Sequence, residues 1–322
     1  MPKKNSNIRI VFMGTSPFAK EILESLAKNN YNLVSAYTQP DKPSGRKKEL
    51  HASEVKKFCQ EKNIHLEQPE KFGAVAIEKL RQFEPDIIIV AAYGKILPKT
   101  VLDIPKFSAI NIHPSILPKW RGPSPIQNAI LEGEKETGIT IMRMDAGMDS
   151  GDILTQEKML ISDIDTSESL LQKASKQSSH LLLQTLPAWI ENKIIPKKQG
   201  ADKATFCKII SKEDGKINWQ ESAEKIYNKF RAFYPWPGIF CFWNLNGKNA
   251  RLKFTQISIE KNTSNEIWQL KSGTVVKING NVGVLTTDGI LMLEEIQMEG
   301  KKNMVAKEFV IGYPKFFGSV LI

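Results

Sequence analysis

Cysteine and histidine are scarce in this sequence, with three cysteines and four histidines among 322 residues. The cysteines are Cys59, Cys207 and Cys241. They are widely spaced and form no C-x-x-C pair, so neither a disulfide framework nor a cysteine zinc site is predicted. The histidines are scattered as well, without H-E-x-x-H or another dense ligand cluster. We therefore expect a reducing compartment and no protein-bound metal.

Long apolar runs are also missing, since no stretch approaches the ~18 to 20 residues that a membrane-spanning helix needs. The first residues, MPKKNSNIRI, lead directly into an apolar strand-like run without the features of a signal peptide. We expect a cytoplasmic protein that does not enter a membrane. The length exceeds the ~100 to 200 residues of a typical domain, so two domains are expected.

The charge balance is positive, with a formal net charge of +10. Splitting the chain after Gly200 gives 28 basic minus 23 acidic residues, or +5, in the first part, and 17 minus 12, again +5, in the second. A polyanionic partner and a generally lysine-rich composition both explain this excess. Charge alone does not assign the partner to one domain.

The first part of the chain alternates short apolar runs with helical segments. IRIVFM, NLVSAYT, DIIIVAAYG, FSAINIH and TGITIMRMD predict strands, and FAKEILESLAK places Phe18, Ile22 and Leu26 on one helix face. Strands without polar alternation, separated by helices, predict an α/β fold with a Rossmann-like parallel sheet covered on both faces. Ligands bind beyond the carboxyl ends of such strands. The loops expected to matter follow Met13, Tyr37, Tyr93, Ile112 and Asp145.

The pattern changes after the run from Thr166 to Ile190, which predicts one long amphipathic helix. NKIIPKKQGADKATF has proline, glycine and lysines but little apolar periodicity, which predicts a linker. Beyond it, short strand-like runs alternate with NG, SG and DG turns. They predict a small OB-like β-barrel, although the pattern leaves a sandwich open. We predict a first domain at 1–192, a linker at 193–206 and a C-terminal β-barrel at 207–322.

The least ordinary segment is FSAINIHPSILPKWRGPSPIQNAI. Its strand carries Asn111 and His113 two residues apart, so both side chains leave the same face near the carboxyl end. The prolines that follow fix their φ angles and stiffen the loop. Taken alone, such a strand is more often a buried, hydrogen-bonded pair than a catalytic one.

A second segment, MRMDAGMDSGDI, places three carboxylates on the loop after the next strand. They belong to Asp145, Asp149 and Asp152. A carboxylate that reaches His113 would favour its imidazolium form, while Asn111 offers an uncharged amide donor to a developing oxyanion. Such a trio suits acyl transfer without a covalent intermediate. Taken alone, the loop could equally be a turn or a weak cation site.

Several motifs occur together along essentially the whole chain. They are N-I-H-P-S-I-L-P, K-W-R-G and M-D-A-G-M-D-S-G-D, with I-V-F-M-G-T-S-P-F-A, T-Q-P-D-K-P-S-G-R, A-A-Y-G-K-I-L-P and R-A-F-Y-P-W-P-G. In combination they resemble the folate-dependent formyltransferase family. The resemblance implies that 10-formyltetrahydrofolate donates its formyl group to the methionine amine of charged initiator methionyl-tRNA, through a tetrahedral intermediate. It thereby implies a role in translation initiation.

The same resemblance implies roles for individual residues. Asn111 and His113 would hold the formyl oxygen as it becomes an oxyanion, and Asp149 would orient and charge His113 and help remove the amine proton. Asp145 falls outside the matching position and is expected in a turn. The family's folate-contacting S-L-L-P segment corresponds to Ser115, Ile116, Leu117 and Pro118. Ile116 departs from that pattern, in a swap that conserves volume.

The implied partners are charged initiator tRNA and tetrahydrofolate, and we expect a monomer. M-G-T-S-P is not G-x-G-x-x-G, so no nicotinamide cofactor is assigned. The basic second loop, TQPDKPSGRKKELHAS, is either a solvated connector or, as the resemblance implies, a tRNA contact through Arg46. A sugar-amine formyltransferase would share the trio without this loop, and an inactive nucleic-acid-binding protein would not need the trio. The aromatic residues of FYPWPGIFCFW are expected in the core rather than as a stacking platform.

Overall fold

The computed structural model of the chain describes residues 7–44, 49–260 and 269–322. The strands are β1 Arg9–Gly14, β2 Asn32–Tyr37, β3 Lys42–Ser44, β4 Glu49–His51, β5 Leu66–Glu67, β6 Ile87–Ala91, β7 Ala109–His113, β8 Glu136–Arg143, β9 Ile153–Leu160, β10 Ile239–Leu245, β11 Lys248–Glu260, β12 Val275–Ile278, β13 Asn281–Leu285, β14 Ile290–Met298 and β15 Asn303–Val305. The helices are α1 Pro17–Lys28, α2 Glu54–Lys62, α3 Ala74–Gln82, α4 Lys99–Leu102, α5 Pro125–Leu131, α6 Ser167–Ile190, α7 Ala223–Phe233 and α8 Ala306–Gly312.

Two groups of segments form separate units. The first comprises the described residues up to Ile126 together with Glu136–Ile161 and Ser169–Lys208. The second comprises Gln127–Lys135, Ser162–Glu168 and the described part of Ile209–Ile322. Residues 193–206, predicted as a linker, therefore lie within the first unit. Within 7–44, 49–260 and 269–322, no helix has the length and apolar character to cross a membrane.

A seven-stranded sheet forms the first unit, in the order β5-β2-β1-β6-β7-β8-β9. The strands from β5 to β7 in that order are parallel, which confirms the Rossmann-like prediction. β8 runs antiparallel to β7, and β9 antiparallel to β8, so the sheet is mixed. The expectation that TGITIMRMD continues the parallel set was wrong. A continuous apolar run indicates that a strand is buried on both faces, but it does not indicate the direction of that strand.

The first strand and helix show why these residues form these elements. β1 is buried from its second residue to its end. Ser16 then caps α1 by accepting a hydrogen bond from the Ala19 backbone N–H, and Pro17 occupies the first helical turn, where no amide donor is needed. The predicted face of Phe18, Ile22 and Leu26 is buried, which confirms the helical spacing.

The loops after β1, β2 and β6 are bonded to one another at the carboxyl edge of the parallel strands. The Thr15 hydroxyl donates to the Tyr93 carbonyl at 3.0 Å, and the Gln39 side-chain amide donates to the carbonyls of Tyr93 and Gly94 at 3.0 Å each. The Gln39 backbone N–H in turn reaches the Thr15 hydroxyl at 3.3 Å. Three of the loops expected to matter thus converge, as parallel topology requires.

The second unit is an antiparallel sheet in the order β10-β11-β14-β13-β12, with β15 paired to β14. The last residues of the chain connect its two edges. Ile322 exchanges both backbone hydrogen bonds with Phe242 on β10, while Val275 on β12 donates to the Ser319 carbonyl. Because the terminal segment bridges both edge strands, this antiparallel sheet forms a partly closed barrel.

The three cysteines are buried and free. Burial raises the pKa of the Cys59 thiol to about 12 and also raises the pKa of the Cys207 and Cys241 thiols. Because the thiolate is the reactive form, we expect native protein at pH 8 to react slowly with an aromatic disulfide reagent at all three positions. Protein unfolded in guanidinium should react rapidly. Fast labelling of any one thiol in native protein would contradict its burial.

Candidate active site

β7 brings Asn111 and His113 to one face of the sheet near its carboxyl end. Alternation along the strand sends Ile110 and Ile112 to the opposite side, where both are buried. His113 is only 4% exposed, and Asn111 is half-buried. The pair predicted from the sequence is therefore brought together at the edge of a packed sheet.

The His113 ring faces an acceptor at each nitrogen. Its Nε2 lies 2.9 Å from the Trp120 carbonyl oxygen, and its Nδ1 lies 3.7 Å from Oδ2 of Asp149. A carbonyl oxygen only accepts, so Nε2 carries a hydrogen in this arrangement. With Nε2 bonded to this carbonyl, Nδ1 is the ring nitrogen that faces the Asp149 carboxylate.

Asp149 completes the trio predicted from the sequence. Its Oδ1 accepts from the Asn111 side-chain amide at 3.2 Å, and its Oδ2 accepts from the Gly122 backbone N–H at 2.8 Å. The residue adopts a φ of 48°, in the left-handed region that aspartate tolerates better than most side chains. One carboxylate thus contacts the amide, the stiff loop and the imidazole.

The other two carboxylates of this loop have different partners. Asp145 accepts from the Gly147 backbone N–H at 3.0 Å and from the Ser150 hydroxyl at 2.8 Å, which is the geometry of a turn. Asp152 pairs with the Arg143 guanidinium at 2.5 Å. Among the described residues, neither carboxylate is bonded to Asn111 or His113.

The loop that carries Asp149 folds back along β7 to reach Asn111 and His113. Because β8 is antiparallel, its last residue, Arg143, lies opposite Ile110 near the start of β7. The expectation that this loop leaves from the carboxyl edge was therefore wrong. Gly151 makes the return possible, since a Cβ there would lie 1.7 Å from the Arg143 carbonyl oxygen.

The segment from Ser115 to Pro118 is held from inside the protein. Ser115 is buried and donates to the Lys119 carbonyl at 2.6 Å, and its own carbonyl accepts from the Thr140 hydroxyl at 2.6 Å. The Leu117 backbone N–H donates to that hydroxyl at 3.1 Å, and the Gln156 amide donates to the Leu117 carbonyl at 2.8 Å. The side chains of Ser115 and Leu117 therefore point inward. Those of Ile116 and Pro118 are half-buried and remain available to a ligand.

Residues that sequence reasoning missed hold the Asp149 loop in place. Gln199 and Arg121 are hydrogen-bonded to each other, and Gln199 is also bonded to the loop. Gln199 lies in the segment predicted as a linker, whose lack of apolar periodicity gave no signal. The K-W-R-G motif contains Arg121, and its near-complete burial could not be derived from the sequence.

Two other predictions concern the tRNA contact and metal binding. Arg46, predicted to contact tRNA, lies outside the described residues, between β3 and β4, which pair with each other. Among the residues that the structure describes, no group of three or more histidine, cysteine, aspartate or glutamate side chains could hold a metal ion.

Comparison with known proteins assigns the chain to a family. The formyl transferase family matches residues 8–186, and the formyl transferase C-terminal domain matches residues 209–314. The chain belongs to the formyl transferase family. The family match spans the strand, the proline-rich loop and the carboxylate loop described above. Asn111, His113 and Asp149 all lie within the N-terminal match.

Curated relatives align with nearly the whole chain. A methionyl-tRNA formyltransferase from Caldicellulosiruptor saccharolyticus is 43% identical over 317 residues, covering 97% of this chain and 99% of that protein. One from Thermodesulfovibrio yellowstonii is 41% identical over 304 residues, covering 94% of this chain and 95% of that protein. Both domains of the chain are thus included in each alignment.

Solved structures share the fold at lower identity. WlaRD, a sugar 3N-formyl transferase, aligns with a TM-score of 0.64 at 20% identity, covering 92% of this chain and 99% of that chain. An N-formyltransferase from Helicobacter canadensis, solved with folinic acid and dTDP-3-aminofucose, aligns with a TM-score of 0.65 at 18% identity, covering 89% and 98% of the two chains. At these identities the likeness concerns the fold.

Proposed function

We propose that this chain transfers the formyl group of 10-formyltetrahydrofolate to the amino group of methionyl initiator tRNA, as a cytoplasmic monomer that supports translation initiation. The observation that carries the proposal is the full-length identity of about two in five residues to methionyl-tRNA formyltransferases, across both domains. Asn111 and His113 on β7, together with Asp149 on the loop after β8, supply the chemistry that such a transfer needs.

The reaction makes one bond and breaks another. The methionine nitrogen bonds to the formyl carbon, and the bond between that carbon and folate N10 breaks. The amine loses a proton, and N10 gains one as it leaves. The formyl oxygen carries negative charge between these events, so donors aimed at it lower the barrier.

The trio can supply those donors and a place for the proton. Asn111 offers a neutral amide that now donates to Asp149, and His113 offers the hydrogen on Nε2 that now points to the Trp120 carbonyl. Asp149, 3.7 Å from Nδ1, stabilises the charged ring and stands ready to accept the amine proton, directly or through water. Both donors would turn to the formyl oxygen when the substrates bind.

The segment from Ser115 to Pro118 is suited to contact the folate. Its inward side chains and bonded carbonyls fix the backbone, while Ile116 and Pro118 leave an apolar surface three and five residues after His113. Ile116 packs closely on β8, because a Cβ on Gly138 would lie 2.3 Å from its Cδ1. A flat aromatic ring system fits a fixed apolar edge of this kind.

One face of the β10–β11 hairpin supports contact between the second unit and a polyanion, because half-buried cations on it lie beside the buried Phe240 and the half-buried Phe242. Phe242 lies opposite Arg251, and Phe240 opposite Lys253, so two cations and two aromatic rings share this face. The Arg251 guanidinium lies 3.6 Å from the Phe240 ring centre, and the Lys216 ammonium lies 5.5 Å from that of Phe242. Such cations would bind tRNA phosphates without reading sequence.

The aromatic residues of this hairpin and of the turn before it divide into two groups. Phe233, Phe240 and Trp243 are buried, as expected for core residues. Tyr234 and Trp236 are instead 39% and 53% exposed. The expectation that all of them are core residues was wrong for these two, which follow α7 in a proline-rich turn. Their rings are available for stacking on bases.

The acceptor is tested by supplying 10-formyltetrahydrofolate with either methionyl initiator tRNA or a nucleotide-linked amino sugar. We expect formyl transfer to the methionine amine and none to the sugar amine. Uncharged initiator tRNA is the matched control, because it binds the same surface without offering the amine. Transfer to the sugar alone would assign the chain to a different acceptor class, with the same catalytic trio.

Arg46 is proposed to contact the tRNA, on the basis of the matching basic loop motif. Arg46→Lys keeps the charge but loses the planar fork that holds phosphate through two hydrogen bonds, so we expect tRNA binding with reduced turnover on methionyl-tRNA. Arg46→Ala should reduce turnover further. Binding of the formyl donor, followed by fluorescence, should be unchanged in both. Full turnover by both variants would remove Arg46 from the tRNA contact.

A further inference from the structure

We propose that Gln199, held by Arg121, is a positioning residue that sets the place of Asp149 in the active site. The inference rests on the proposed catalytic role of Asp149. Gln199 lies in the segment predicted as a linker, 193–206. Residues 197–207, here called the strap, would hold the catalytic loop, which is the loop after β8 that carries Asp149.

Every polar group of the Gln199 side chain is used. Its Nε2 donates to the backbone carbonyls of Asp149 and Gly151 at 2.8 Å each. Its Oε1 accepts from Nε and Nη2 of Arg121 at 3.0 and 2.7 Å. The same amide is therefore hydrogen-bonded to the catalytic loop on one side and to the buried Arg121 guanidinium on the other.

The strap is anchored at both ends. Lys197 exchanges two backbone hydrogen bonds with Ile153, the first residue of β9, at 2.8 and 2.9 Å. At the far end, Arg121 donates its backbone N–H to the Thr205 carbonyl, and its own carbonyl accepts from the Cys207 N–H, at 2.9 Å each. Gln199 thus projects from a segment whose backbone is fixed on both sides of it.

The catalytic loop needs such support. Asp149 has a φ of 48°, a conformation that costs free energy for a residue with a side chain, so the loop does not hold it by local preference. Its carboxylate must nonetheless meet Gly122, Asn111 and His113 at once. Two hydrogen bonds to the carbonyls of residues 149 and 151 fix the peptides on either side of the turn.

The chemistry of the position calls for an amide. Glutamate would still accept from Arg121, with a stronger charged pair, but it would present oxygens to two carbonyl oxygens and lose both bonds to the loop. Lysine could donate to the loop but could not accept from Arg121. Gln199→Glu therefore removes the hydrogen bonds to the loop and keeps the contact with the Arg121 guanidinium.

The experiment measures kcat and KM for Gln199→Glu in the full chain with methionyl-tRNA as acceptor. The matched control is Gln177→Glu, because Gln177 donates its amide to the Lys158 carbonyl at 3.0 Å on the surface of the same unit. We expect kcat to fall roughly 10- to 100-fold for Gln199→Glu with KM for the formyl donor within about twofold, because a displaced catalytic group costs turnover rather than ground-state binding. The control should keep its kcat.

A double variant separates positioning from general damage. If Gln199 acts through Asp149, adding Gln199→Glu to Asp149→Asn should lower kcat by less than about threefold further. An equal loss in both backgrounds would overturn the proposal, as would full kcat in Gln199→Glu. Full activity of Asp149→Asn alone would instead remove the catalytic role on which the proposal rests.

Thiol labelling shows whether the strap stays in place. Cys207 is buried at the end of the strap, where its sulfur accepts from the Ser124 N–H at 3.2 Å. We expect its labelling rate in Gln199→Glu to stay within a few-fold of wild type, with Cys59 as the internal reference. Fast labelling of Cys207 would mean that the strap has detached, and it would overturn the specific role of the side chain.

Discussion

Asp149→Asn is expected to lower kcat by roughly 10² while formyl-donor binding stays nearly intact, because a group that stabilises the transition state is lost. Asparagine keeps the size of the side chain and can still accept from Gly122 or Asn111. It loses the negative charge 3.7 Å from the His113 Nδ1 and the capacity to take up the amine proton. Steady-state turnover and donor titration measure the two effects separately.

His113→Ala should cause a similar loss, and the double variant should lose much less than the product of the two single losses. Residues that act as one unit are non-additive in this sense. Asp152→Asn is the matched control, since it makes the same change on the same loop but touches Arg143 rather than the trio. Wild-type turnover in Asp149→Asn, or an Asp152→Asn loss of equal size, would exclude the proposed division of roles.

Asn111, His113 and the carboxylate loop could be predicted from the sequence, because each is marked by a short local pattern. Two polar side chains at spacing i, i+2 on a strand share a face whatever the surroundings, and prolines stiffen the loop that follows. The carboxylate loop was recognisable from its composition. Choosing Asp149 over Asp145 and Asp152 relied on motif resemblance, and the structure adds the contacts that distinguish the three.

The path of that loop could not be predicted. TGITIM is buried on both faces, and such a run looks the same in a parallel or an antiparallel strand. Only the partner strand decides the direction, and therefore which end of the sheet the loop leaves. Gln199 was equally hidden, because a single amide in a polar stretch becomes informative only when its partners are known.

Gly151→Ala is expected to disable the enzyme through backbone position alone. A Cβ at this residue would lie 1.7 Å from the Arg143 carbonyl oxygen, and this backbone atom cannot rotate away. The hairpin must therefore open there, which disturbs the bond from Arg143 N–H to the Asp152 carbonyl, now 2.8 Å, and the bond from Gln199 to Gly151. Asp149, two residues away, moves with the loop. A shift of about 1 Å in a catalytic group can cost about 10² in turnover, so we expect a loss of that order.

Gly73→Ala is the matched control, because a Cβ there meets no atom within 4 Å. Gly73 precedes α3 in an extended conformation with a φ of −82°, so alanine should change the free energy of unfolding by less than about 1 kcal/mol and leave kcat intact. Gly151→Ala should keep donor binding, because the segment from Ser115 to Pro118 is held by Thr140 and Gln156 rather than by this loop. A variant that loses turnover, keeps donor binding and still unfolds cooperatively would show that the backbone path at Gly151 places Asp149. Full turnover in Gly151→Ala would mean that the hairpin absorbs the new methyl group without moving the carboxylate, and that Asp149 is held by its side-chain contacts alone.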